Sequence, residues 1–244
     1  MQTPYIIIIP ARYASTRLPG KPLLEIKNKP LLQHVFDKAA ATQAKSIYIA
    51  TDDERIANAA RAFDANVLMT SPAHQSGTDR LAEAVLQLNL SDDEIVVNLQ
   101  GDEYGLPVEL IDQVAMGLHN HPDKQVSTLC EAITDLDDYT NPNIVKVVFD
   151  INNTAIYFSR SPIPANRSGN MPTQAFRHIG LYAYRAGYLQ EFTQLSPCDL
   201  EQSEALEQLR VLYYGGRIHI DIAVVETGIG IDTTEDLERA RSIA

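Results

Sequence analysis

The run Tyr5-Ile6-Ile7-Ile8-Ile9, halted by Pro10, leaves this chain few ways to fold. Consecutive apolar, β-branched residues without polar alternation suit a strand buried on both faces. Such a strand needs a cover on each side, and the segments that follow supply it. Residues 30–42 read as a helix, with Pro30 tolerated in its first turn, and 46–50 as a strand. Residues 52–63 open with acids and continue rich in alanine, the pattern of a helix. Then 67–69 read as a short strand, 78–88 as a helix and 94–99 as a strand. The order βαβαβαβ predicts an α/β fold with a mostly parallel sheet flanked by helices, continued by a helix over 107–118.

The rhythm changes in the second half. Strands are expected at 126–132, 144–149, 154–158 and 178–184, with a turn at 150–153 and a long loop over 159–173. Helices are expected at 185–194 and 200–213, a strand at 217–224 and a last helix over 234–243, capped by Asp232 or Thr233. No internal repeat and no flexible linker interrupts this order. The expected organisation is therefore one α/β body over 1–244, with a mixed-strand module inserted between 126 and 224. The apolar run at 5–9 is too short to span a bilayer and follows no basic leader, so a soluble cytoplasmic protein without membrane insertion is expected. Cys130 and Cys198 lie far apart and suggest neither a disulfide scaffold nor a metal cluster.

Charge sharpens the search for a site. Lys and Arg number 20 against 32 Asp and Glu, a net charge of −12 that opposes non-specific binding of nucleic acid or anionic membranes. Against that balance, Arg12, Arg17 and Lys21 crowd into one loop directly after the first strand. In a parallel α/β fold this loop opens on the crevice at the carboxyl ends of the strands. Arginine forks match phosphate oxygens, lysine adds a compact mobile charge, and Gly20 permits close backbone approach. The loop carries neither the Gly-x-x-x-x-Gly-Lys-[Ser/Thr] pattern nor a Gly-x-Gly-x-x-Gly turn, which argues against a P-loop NTPase and a dinucleotide dehydrogenase. From residue types alone, a phosphate cradle and a solvated basic loop both remain open.

Two carboxylates fall between an expected strand and a helix. They are Asp102 in Gln100-Gly101-Asp102-Glu103 and Asp232 in Gly230-Ile231-Asp232-Thr233. Either could hold Mg²⁺ against phosphate oxygens, or simply cap a turn or a helix. Ser76-Gly77-Thr78-Asp79-Arg80 suits a helix N-terminus beside the same crevice. Polar candidates in the second half are Arg160, His178, Tyr182, Glu207 and Gln208. His178 and Tyr182 share one face of a strand at spacing i, i+4, with Tyr184 beside them, and the charges near Glu207 also suit a solvated helix face.

The segment Pro10-Ala11-Arg12-Tyr13-Ala14-Ser15-Thr16-Arg17-Leu18-Pro19-Gly20-Lys21-Pro22-Leu23 resembles the opening signature of the 3-deoxy-manno-octulosonate cytidylyltransferases. Gln100-Gly101-Asp102-Glu103, Gly230-Ile231-Asp232-Thr233 and Ser76-Gly77-Thr78-Asp79-Arg80 resemble further motifs of that family. So do Phe158-Ser159-Arg160, Arg177-His178-Ile179-Gly180-Leu181-Tyr182 and Leu206-Glu207-Gln208-Leu209-Arg210. The resemblance thus runs from Pro10 to the last helix. It implies a nucleotide-diphospho-sugar transferase-like fold and a CTP-dependent nucleotidyltransferase that forms CMP-Kdo and pyrophosphate from CTP and 3-deoxy-D-manno-octulosonate (Kdo), for lipopolysaccharide biosynthesis. It implies Mg²⁺ at Asp102 and Asp232, and CTP contacts from Ala11, Arg12, Arg17, Lys21, Ser76, Gly77, Arg80 and Gln100. Sugar contacts are implied for Gln100, Arg160, His178, Tyr182, Glu207 and Gln208, and a catalytic role for Arg12, Lys21, Asp102 and Asp232. A homodimer built on the second-half strands is also implied. One departure is Tyr104-Gly105, where the family often has Pro and a large apolar residue; this puts the loop shape there in doubt. Two alternatives to the implied reaction are activation of another acid sugar, such as 8-amino-3,8-dideoxy-manno-octulosonate, and a non-catalytic sugar-nucleotide-binding regulatory protein.

Overall fold

The first strand, β1 (Tyr5–Ala11), divides its side chains between two apolar clusters. Tyr5, Ile7, Ile9 and Ala11 enter one, and Ile6 and Ile8 the other. The computed structural model describes residues 5–14, 18–74, 76–228, 230–231 and 233–243. After β1 come a 3₁₀ turn (Lys21–Leu23), β2 (Glu25–Ile26), β3 (Lys29–Pro30), α1 (Leu31–Ala40), β4 (Ser46–Thr51) and α2 (Glu54–Ala62). Then follow β5 (Asn66–Met69), α3 (Gly77–Gln87), β6 (Ile95–Asn98) and α4 (Val108–Asn120). The second half holds β7 (Val126–Ala132), α5 (Leu136–Thr140), β8 (Lys146–Phe149), β9 (Ala155–Ser159) and β10 (Phe176–Arg185). It ends with α6 (Ala186–Gln194), α7 (Asp199–Glu204), α8 (Gln208–Tyr213), β11 (Ile218–Ile222) and α9 (Thr234–Ile243).

One sheet runs through both halves, in the order β11-β7-β10-β6-β1-β4-β5, with β8 pairing to β10 and β9 to β8. The neighbours β6, β1, β4 and β5 are parallel, as are β11 and β7. β10 lies antiparallel between β6 and β7, so the expected mixed-strand module is woven into the main sheet. The chain winds from β1 outward to β4 and β5, then returns to place β6 on the other side of β1. That reversal leaves a crevice at the carboxyl ends of β1 and β6, where open α/β sheets bind ligands.

Three local features depart from the sequence reading. Residues 200–213 form two helices, because Ala205 adopts a left-handed conformation (φ 51°) that ends α7. Residues 25–30 form a small hairpin, β2 with β3, turned by Lys27 and Asn28 at φ 47° and 62°. A short helix, α5, is capped by the Asp135 side chain accepting from Asp138 N–H. At α9 the Thr233 hydroxyl accepts from Asp236 N–H at 3.2 Å, as expected for a cap. Asp232, the other cap candidate, lies outside the described residues.

Candidate active site

Three chain segments converge at the crevice. A Cβ built on Gly77 would lie 3.8 Å from Pro10 Cγ and 3.9 Å from Gln100 Nε2. One built on Gly101 would lie 3.2 Å from the Pro10 carbonyl. The ends of β1 and β6 thus meet through backbone, and the first turn of α3 packs on the Pro10 and Gln100 side chains, with Ala11 buried beside them. Ser76 caps α3 through its side chain, which accepts from Asp79 N–H at 3.0 Å, while the Asp79 carboxylate accepts from Ser76 N–H.

The loop after β1 is pinched by a hydrogen bond from Gly20 N–H to the Tyr13 carbonyl, at 3.0 Å. Gly20 is left-handed (φ 69°) and its α-carbon faces the Tyr13 ring, so a side chain there meets both strain and a contact of 3.0 Å. The Arg55 guanidinium covers the Tyr13 ring at 3.3 Å. The loop then delivers Lys21, whose Nζ donates to Asp102 Oδ2 at 2.7 Å. Lys21 is 8% exposed, so it enters the crevice floor already paired with the strand-end carboxylate. Arg12 is exposed and pairs with none of the described residues, which leaves its fork for a ligand. Arg17 lies outside the described residues.

Asp102 also anchors the C-terminal motif, because its carbonyl accepts from Ile231 N–H at 3.0 Å. Asp232, the next residue, lies outside the described residues, so the expected pairing of Asp102 with Asp232 rests on this neighbouring backbone bond. The departure at Tyr104-Gly105 has a packing role. Tyr104 sets its ring edge-on to His34 at 5.1 Å and joins the apolar cluster of Leu18, Ile26 and Ile231. Gly105 and Gly228 approach so closely that a Cβ on Gly228 would overlap the Gly105 carbonyl. A divalent cation suits this mouth. The Asp102 side chain is 38% exposed, and Mg²⁺ takes one or two protein carboxylates plus water and phosphate oxygens. Among the described residues no group of three or more His, Cys, Asp or Glu forms, so a cation here would complete its shell from ligand and water.

The second-half candidates sort into two groups. His178 and Tyr182 have ring centroids 5.3 Å apart, and Tyr182 stacks on Tyr184 at 5.7 Å. Four residues of regular strand span about 13 Å. The shortening comes from an irregularity in β10 between Ile179 and Tyr182, which pair with Leu129 and Thr128. Tyr182 also faces Asn98 on β6, and Asn98 Oδ1 accepts from Gln100 Nε2 at 3.1 Å, so this wall meets the crevice. The Glu207 carboxylate accepts from the Thr78 hydroxyl at the start of α3, and Gln208 is buried beside it. Burial raises the Glu207 carboxyl above the ordinary carboxylate range. Burial likewise raises the Tyr182 and Tyr184 phenols and pushes the His178 imidazole down to about 3.

Arg80 and Arg160 belong to the other group. The Arg80 guanidinium is buried, pairs with Asp52 at 3.2 Å and donates to the Thr70 hydroxyl. The Arg160 guanidinium donates to the carbonyls of Glu204, Pro142 and Ala205 at 2.6, 3.0 and 3.4 Å. Both arginines brace the walls through protein acceptors. Sequence reasoning also passed over Thr78, Asn98 and Thr128. Only Gly180, a glycine inside a predicted strand, hinted at the irregularity that gathers the wall.

This is a nucleotide crevice of the cytidylyltransferase class: the family sequence profile described as cytidylyltransferase matches residues 6–222. Of named relatives, the 3-deoxy-manno-octulosonate cytidylyltransferase of Hahella chejuensis is 52% identical, over 98% of this chain and 97% of that protein. The enzyme of the same name from Pasteurella multocida is 49% identical, over 99% and 98%. A solved structure of CMP:2-keto-3-deoxy-manno-octonic acid synthetase complexed with CTP superposes with a TM-score of 0.91, at 41% identity and over 98% of both chains. The chain belongs to the 3-deoxy-manno-octulosonate cytidylyltransferase family.

Two outcomes follow from these side chains. Arg80→Ala should destabilise the fold by about 3 kcal/mol, since it strands Asp52, whereas Arg12→Ala should change stability by less than about 0.5 kcal/mol; urea unfolding reads both. His178 has a folded value of about 3 against an ordinary 6.5, so the unfolded chain binds its proton first. Its contribution to stability is complete above 6.5 and is lost as pH falls toward 3. His178→Asn should therefore flatten the fall in urea midpoint between those values.

Proposed function

We propose that this chain transfers the cytidylyl group of CTP to Kdo, releasing pyrophosphate. The observation that carries the reading is the Lys21–Asp102 pair, at 2.7 Å, standing beside exposed Arg12 at the reversal of strand order. Cations at this point offset charge that builds on a triphosphate as its leaving group departs. The likeness to a synthetase solved with CTP supports the cytidine preference, and the printed names of the relatives support Kdo as the acceptor.

Arg12 and Lys21, joined by Arg17 in the same loop, hold the triphosphate. Gln100 and the first turn of α3, from Ser76 and Gly77, line the nucleotide side. His178, Tyr182, Glu207 and Gln208 orient the sugar acid so that its anomeric hydroxyl lies in line with the α-phosphorus and the leaving pyrophosphate. Arg80 and Arg160 support these walls through Asp52 and the 204–205 backbone. Holding the two substrates in attack geometry is the main contribution of the protein. Asp102 and Asp232 are the residues that would hold Mg²⁺, which supplies charge neutralisation at the phosphates.

The reading carries a homodimer with it. Exposed Ile151, Ile156, Ile222 and Val224 on and beside β9 and β11 give the second half an apolar edge that suits a partner copy. Light scattering on the purified chain should give twice the mass of one chain; a monomer at micromolar concentration would overturn this part. None of the described helices is long and apolar enough to cross a membrane. We place the enzyme in the cytoplasm, where CTP is formed.

The reaction is tested with CTP, UTP and GTP against Kdo, its 8-amino analogue and a sialic acid, with and without Mg²⁺, reading pyrophosphate. Fastest release from CTP and Kdo with Mg²⁺ is expected. Asp102→Asn should lower kcat at least ~100-fold; because it also takes the counter-charge from Lys21, the urea midpoint should fall, and turnover is read where circular dichroism shows the variant folded. Near-parental turnover by that variant at saturating Mg²⁺ would sink the assignment of Asp102.

A further inference from the structure

β10 is interrupted where it faces β7. Ile179 pairs with Leu129 and Tyr182 with Thr128, so Gly180 and Leu181 are extra residues on the β10 side. The carbonyls of Ile179 and Leu181 both turn toward the buried Thr128 hydroxyl, at 2.9 and 2.7 Å. His178 Nε2 lies 3.0 Å from the same oxygen. One hydroxyl carries one proton. Carbonyl oxygens only accept, so at these distances the proton must lie toward one of them. The contact with His178 is then favourable only if Nε2 carries the hydrogen and donates to Thr128.

The second ring nitrogen, Nδ1, is left as a lone pair, and none of the described residues donates to it. Phe158 stands edge-on to the ring at 5.0 Å and the Tyr182 ring lies 5.3 Å away; these aromatic neighbours strip water from the half-buried imidazole and favour its neutral form. The ring therefore offers an acceptor on its free side throughout the ordinary working range of pH.

We propose that Thr128 is a positioning residue that holds His178 in the Nε2–H tautomer, so that Nδ1 receives a hydrogen bond from a hydroxyl of the sugar acid and turns away its carboxylate. The substrate half of this proposal rests on His178 facing the sugar. A carboxylate or phosphate at Nδ1 would meet lone pair against lone pair, whereas a hydroxyl is matched. His178 thus selects the polyol part of the acceptor, and the carboxylate is bound by other donors.

The tautomer is read on the full chain by ¹⁵N imidazole spectra, with His178→Asn used to assign the signal. A protonated Nε2 and a bare Nδ1 are expected from about pH 5.5 to 8, with Nδ1 shifting when Kdo binds. An Nδ1–H tautomer or an imidazolium in that range would overturn the proposal. Thr128→Val keeps the shape and removes the hydroxyl. It should raise the KM for Kdo about tenfold, leave the KM for CTP within about twofold and mix the two tautomers. Thr128→Ser should restore the tautomer and the Kdo affinity. Parental KM for Kdo together with a parental tautomer in Thr128→Val would overturn the role of Thr128. If the valine variant does not fold, the parent spectrum and the serine variant still decide. His178→Ala with unchanged KM for Kdo would overturn the sugar-facing reading and the substrate half with it; the tautomer stands or falls on the spectrum alone.

Discussion

The ion pair between Lys21 and Asp102 joins two segments that the sheet only brings near each other. An ammonium as enclosed as that of Lys21 would cost several kcal/mol if left without a counter-charge. The carboxylate beyond the end of β6 supplies such a counter-charge, and the loop after β1 settles into the crevice against it. The backbone of the same residue holds Ile231, so the C-terminal segment is tied to that point as well. Loop, strand end and C-terminal motif, far apart in sequence, share one aspartate as their meeting place.

The other arginines differ from Arg12 by their neighbours. Arg80 finds Asp52 and Thr70 around it, and Arg160 finds three carbonyls. Their forks are matched before any substrate arrives, which stiffens the walls of the site. Arg12 projects into solvent and keeps its donors. In a chain of net charge −12, the site thus keeps Arg12 open to a ligand while Lys21 is held against Asp102. The far wall depends on backbone irregularity instead. Two extra residues in β10 draw His178 and Tyr182 together, and Thr128 places its hydroxyl between the carbonyls of Ile179 and Leu181.

Much of the fold was legible because burial on both faces leaves a continuous apolar run, as in β1, and because helix spacing and caps mark the elements that cover it. The strand β7 was read at its observed limits, and α3 was signalled by Ser76 and Asp79. The break at Ala205 was not legible, since alanine favours helix and nothing in the apolar spacing marks a left-handed residue. The central position of β10 was hidden for a related reason. Periodicity reports which faces are buried, but not which strand is the neighbour.

The sequence by itself determined the α/β class, the basic loop after the first strand and the carboxylates at the element ends, because these depend on local pattern and residue chemistry. The opening motif also carried the family resemblance. Only the tertiary structure decided which cations stay open and which are matched, since that depends on acceptors supplied by distant segments. It also decided the spacing of His178 and Tyr182. That spacing follows from the register between β7 and β10, and register is set by hydrogen bonding across strands about fifty residues apart.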